Sequence, residues 1–133
     1  MTASTTVRIA TFDARQRWFG LDAAVTGLNA LGYVTLATWL SEQFGATATT
    51  YRAIGGALLL FAISIGVYAA VDRAPRRAGW SIVAVNVAWV VGSLVVAAVG
   101  IGDFNGLGRS WIACQAVVVA ALTILQTSTF QER

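Results

Sequence analysis

Four apolar runs, each about as long as a bilayer is thick, decide what this chain can become. A helix needs about 20 mostly apolar residues to cross the hydrocarbon core. Runs of that kind fall near 19–40, 53–71, 80–101 and 110–126. In lipid every backbone N–H and C=O must be satisfied within its own segment, so such runs become helices. Four of them use about 80 residues. The rest of the 133 form the ends and three loops. The predicted fold class is therefore all-α, a polytopic membrane four-helix bundle forming one transmembrane domain over 1–133. The first run is too long for a signal-peptide core and is expected to be retained.

Only 11% of residues are charged, against about 25% in a soluble domain. The net charge is +3, and all nine basic residues are Arg. They lie beside the apolar runs, as topology signals do. A basic groove with interleaved aromatics is absent, which argues against nucleic acid as a partner. There is no His and one Cys. That excludes His-ligated haem or metal, a His base, an intrachain disulfide and paired-cysteine redox chemistry. No cofactor and no metal are expected. Cys114, inside an apolar run, reads as a small buried apolar residue.

Arg also orients the chain. Arg8, Arg15 and Arg17 precede the first run, Arg73, Arg76 and Arg77 lie in the second loop, and Arg133 is in the tail. The other two loops carry only Arg52 and Arg109, which read as interfacial anchors. The positive-inside rule then places both termini in the cytoplasm of a cell with this chain in its inner (plasma) membrane. Trp18, Phe19, Trp39, Tyr51, Trp80 and Trp111 lie near run ends, where amphipathic rings settle at the interface.

A weak repeat has an offset of 57: Asn29 and Asn86, Val34 and Val91, Gly45 and Gly102, Arg52 and Arg109. It suggests two helical hairpins related as a parallel repeat.

Residues spaced by four and seven share a helix face. Asp22, Thr26, Asn29 and Tyr33 form such a stripe on the first run. Asn86, Trp89 and Ser93 do so on the third. Ser64 aligns with Tyr68 on the second, and Trp111 with Gln115 on the fourth. Lipid does not tolerate polar stripes cheaply, so they should face inward. Two stripes of small residues, Ala62, Gly66 and Ala70 and then Ala84, Ala88 and Gly92, permit close helix approach or oligomerisation.

The candidate ligand-binding residues are thus Asp22, Thr26, Asn29, Tyr33, Tyr68, Asn86, Trp89 and Gln115. Asp22 is the only acid within an expected span, and an ionisable residue at membrane depth is a functional candidate. Structural roles stay open beside these. Asp22 also suits a position near a helix start, where negative charge is favourable. The amides also suit interhelical hydrogen bonds, and Tyr68 and Trp89 suit core filling. No catalytic residue is assigned.

The segments LDAAVTGLNALGY (Leu21 to Tyr33) and AVNVAWVVGSL (Ala84 to Leu94) resemble small four-span bacterial integral membrane proteins, a group to which no activity is attached. Similarity to small multidrug transporters stops at size and span count, since their intramembrane Glu has no counterpart here. The motifs of fluoride channels and the paired cysteines of membrane thiol oxidoreductases are also missing.

Three functions stay open. The first is a polar intramembrane pocket binding or transporting a small amphipathic molecule or ion, opening towards the cytoplasm. The second is an accessory or scaffold subunit of a larger membrane complex, or a homo-oligomer. The third is a membrane enzyme acting on a lipid or isoprenoid substrate, for which one Asp without His offers little support.

Overall fold

The structure, a computed structural model, describes residues 13–131; Arg8 and Arg133, counted above for orientation, lie outside them. It is all-helical among the described residues. The five helices are α1 (Ala14–Thr35), α2 (Ala37–Phe44), α3 (Ala48–Ala70), α4 (Arg76–Val99) and α5 (Gly106–Gln131).

α1 starts with a capping box. The Asp13 carboxylate accepts from the Gln16 N–H, and the Gln16 side chain accepts from the Asp13 N–H. Its 22 residues rise about 33 Å, enough to cross the core. The chain then turns by 88° into α2. The expected run 19–40 is therefore not one straight helix. A helix begun at Ala14 reaches the far end of the fold by Thr35, and the remaining apolar residues cover that end instead. Ala37 and Leu40 pack down on Tyr33 and Tyr51, while Leu36 and Trp39 stay exposed.

The other helices also start about a turn before their apolar runs, and α5 continues to Gln131. Hydropathy marks contact with lipid, whereas a helix includes the hydrated turn at the interface. α3, α4 and α5 are each long and apolar enough to cross a membrane, and α1 with α2 makes a fourth if the bent pair counts as one span.

α1 packs along α3 and α5, and α4 packs along α5. The α1–α3 contact is close because its residues are small. A Cβ on Gly27 would lie 3.7 Å from Ala62, and one on Gly66 would lie 3.8 Å from Ala23. Gly55 has no spare room: an added Cβ would lie 2.8 Å from Val34 Cγ2 and 2.9 Å from the Ala30 carbonyl. α3 and α4 meet at one end only, where Gly79 sits beneath Tyr68 and Phe130. Phe19, Ile65, Ile82 and Val83 complete that apolar cluster. Further along, the two helices leave a space between them.

Several arginines close helix ends. Buried Arg15 donates to the carbonyls of Tyr68 (2.5 Å) and Val71 (2.7 Å) at the end of α3. Arg109 donates to Ala97 (2.7 Å) and Ala98 (2.8 Å) at the end of α4. Arg76 donates to Phe130 near the end of α5. Carbonyls of a last helical turn lack intrahelical partners, and a cation there meets the negative end of the helix dipole. So these arginines fasten each helix to an antiparallel neighbour.

The two connections at the α2 end pair with each other. Ala46 N–H donates to the Asp103 carbonyl (3.0 Å), and Asn105 N–H donates to the Phe44 carbonyl (2.9 Å). Each carries two successive residues with positive φ: Gly45 (80°) and Ala46 (61°), then Gly102 (93°) and Asp103 (63°). The two pairs stand 57 positions apart.

Three expected orientations are corrected. Cys114 is exposed on the outer face of α5. Ser64 is also exposed and donates back to the Leu60 carbonyl, so it does not join Tyr68. Ala84, Ala88 and Gly92 lie exposed, so close approach within the chain, one of the two roles expected of this stripe, is not made. Hydropathy cannot separate these positions, because lipid tails are as apolar as a protein core.

Candidate functional site

The inward polar residues gather at two levels. At the level nearer the start of α1, one carboxylate joins three helices. Asp22 is 1% exposed and Gln126 0%. Asp22 Oδ2 accepts from Asn86 Nδ2 of α4 at 2.8 Å and from Gln126 Nε2 of α5 at 2.5 Å. Its Oδ1 accepts from Thr26 Oγ1 of α1 at 3.0 Å. Asn86 Nδ2 also donates to Gln126 Oε1 at 3.1 Å. All three groups donating to the carboxylate are neutral. The donor set suits an acceptor-only carboxylate, which needs several N–H or O–H partners when removed from water.

The second level lies towards α2. Trp89 Nε1 donates to Gln115 Oε1 at 2.9 Å, and Gln115 Nε2 donates to Ser93 Oγ at 3.1 Å. Trp111 Nε1 donates to the Tyr33 hydroxyl at 2.9 Å. These groups back a pocket of about 290 Å³ between α3 and α4. Tyr51 and Ile54 line it on α3, and Ala88, Trp89, Gly92 and Val96 line it on α4. Phe104 and Trp111 close it towards the paired connections. The volume is about twice the 150 Å³ that accommodates a benzene ring in a dry engineered cavity.

Between the two levels is a smaller void of about 40 Å³, touched by Thr26, Asn29, Asn86, Trp89 and Gln115. Asn29 is half-buried there, and its amide has no hydrogen-bond partner among the described residues. No fully buried side-chain nitrogen or oxygen is left without a partner among the described residues.

The structure therefore brings Asp22, Thr26 and Asn86 together as one group. Tyr33, Trp89 and Gln115 form another, and Asn29 stands between them. Tyr68 joins neither; its ring packs on Phe19, under the Arg15 guanidinium. Gln126, at the last position of the expected fourth span, joins the Asp22 group although it is not among the residues the helical spacing singles out. The signal was present: Gln126 follows Gln115 by 11, the offset that joins Asp22 to Tyr33. The large pocket lies where α3 and α4 stand apart, and the Asp22 group is enclosed.

The chain matches no protein-family model, no curated protein and no solved structure.

Proposed function

We propose that this chain is a four-span bundle of the inner membrane, with both termini in the cytoplasm, that holds a small amphipathic molecule between α3 and α4. The two hairpins, α1 to α3 and α4 to α5, read as duplicated units, with the left-handed pairs at Gly45 and Gly102 as the matching joints. The observation that carries the function is the pocket of about 290 Å³. Its wall is aromatic and aliphatic, with a few convergent polar groups, the usual make-up of a ligand site. The polar groups are bonded to one another, so the ligand's deeper part is apolar. The connections above the pocket are tied by backbone hydrogen bonds, so entry is sideways, from the bilayer.

N-phenyl-1-naphthylamine, a lipophilic amine, tests this in vesicles. Energy transfer from Trp89 and Trp111 should saturate with probe concentration. Gly92→Leu should abolish the saturable part, since Gly92 lines the pocket and a Cβ there meets nothing within 4 Å. Transfer that rises without saturation, equally in both proteins, would reject the pocket as a ligand site.

The exposed face of Ala84, Ala88 and Gly92 supports a second reading, a scaffold subunit whose α4 packs on another membrane helix. Stoichiometric co-purification from native membranes, lost on Ala84→Leu with the probe still bound, would favour it.

A further inference from the structure

The small void beside Asn29 lies between the Asp22 group and the pocket. It is lined by Thr26 and Asn86, which both bond the Asp22 carboxylate, and by Trp89 and Gln115, which also line the large pocket. Its volume of about 40 Å³ exceeds the 10–15 Å³ or so that one water requires. A buried water also needs two to four polar partners. The Asn29 amide, without a partner among the described residues, the Thr26 hydroxyl and the Asn86 side chain supply them.

We infer that Asp22 is a proton-binding site, reached from the pocket through water held at Asn29. Thr26 makes both protonation states acceptable. With Asp22 ionised, the Thr26 hydroxyl donates to Oδ1, as observed. When a hydronium reaching the void passes a proton on to Oδ1 and is left as water, the new O–H bond donates to Thr26 Oγ1. The Thr26 hydrogen then swings to the water, and Oδ2 keeps both amide donors. A hydroxyl can exchange these roles by rotation alone, so no buried group is orphaned in either state. Asn86 and Gln126, which reach Asp22 from α4 and α5, do not titrate. Of the charged groups at that end of the fold, Arg15 and Arg76 are turned onto the carbonyls of α3 and α5, and Asp13, Arg17, Asp72, Arg73 and Arg77 are exposed. The proposal rests on the pocket's geometry and not on what the pocket holds.

Infrared difference spectra of the full chain in phosphatidylcholine vesicles, with carbon-13 in its aspartates, test it. Between alkaline and acid pH, a carboxylic-acid C=O band should appear reversibly, absent from Asp22→Asn. If Asp22→Asn does not fold, Asp22→Glu serves instead, because it removes the labelled band and keeps the acid. Asn29→Leu, which fills the void, should slow hydrogen–deuterium exchange of that acid group by an order of magnitude or more. No band assignable to Asp22 at any pH, or exchange unchanged in Asn29→Leu, would overturn the proposal. Neither readout uses a pocket ligand, so a failure of naphthylamine binding leaves this result independent.

Discussion

The Asp22 carboxylate and the Gln126 amide, 104 residues apart in sequence, are joined by a 2.5 Å hydrogen bond in the interior of the fold. The bond ties the first helix to the last, and Asn86 adds the fourth helix to the same oxygen. Interhelical hydrogen bonds in membranes average only about 0.6 kcal/mol. Removing one partner of a buried polar pair costs more, because the other is left without a substitute from water.

Gln126→Leu is therefore expected to lower stability by about 1–3 kcal/mol. The double variant Asp22→Leu with Gln126→Leu should cost less than the two single losses added, since the pair is removed together, though it leaves Asn86 Nδ2 without either acceptor. Unfolding titrations in mixed micelles measure both. A double variant less stable than the sum of the singles would contradict the pairing.

Arg15 is 4% exposed and fastens α1 to the last carbonyls of α3. Arg15→Ala should cost about 1.5–3 kcal/mol, the usual worth of hydrogen bonds to a charged group. Arg15→Lys should recover only part, because a single ammonium lacks the guanidinium's planar fork. Arg17→Ala, an exposed neighbour two positions on, is the control and should leave the unfolding midpoint unchanged.

Gly55 and Gly56 are adjacent yet opposite in environment. Gly55→Ala places its Cβ 2.9 Å from the Ala30 carbonyl, so α1 and α3 must separate, at about 1–3 kcal/mol. Gly56 has nothing within 4 Å. Gly56→Ala should be neutral or stabilise by up to about 1 kcal/mol through helix propensity. Thermal unfolding of the pair measures the contrast, and equal effects would place the α1–α3 contact elsewhere.

Cys114 faces outward on α5, which in a bilayer means lipid. A nitroxide attached there should collide freely with oxygen, which partitions into lipid, and rarely with a charged nickel chelate. A label shielded from both would mean that another protein surface covers this face.

The Asp22 group was half legible in the sequence. Asp22, Thr26, Asn29 and Tyr33 were recognisable as one inward face from their spacing alone, as were Asn86, Trp89 and Ser93. Their division between an enclosed carboxylate group and a pocket between α3 and α4 was not. Gln126 lay at the edge of an apolar run, where a polar residue usually signals the end of a span.

What the sequence determined by itself is what depends on neighbours along the chain: helical structure throughout, the lengths that suit a bilayer, and the stripes that cannot face lipid. Run length and the helical period are local properties. Only the tertiary structure decided the turn at Leu36, the outward direction of Cys114, the junction of Asp22 with Gln126 and the gap between α3 and α4. Each of these depends on how a helix is rotated about its axis and which neighbour it meets. Hydropathy is nearly blind to that choice, because a leucine against lipid and a leucine against another helix are in almost the same solvent.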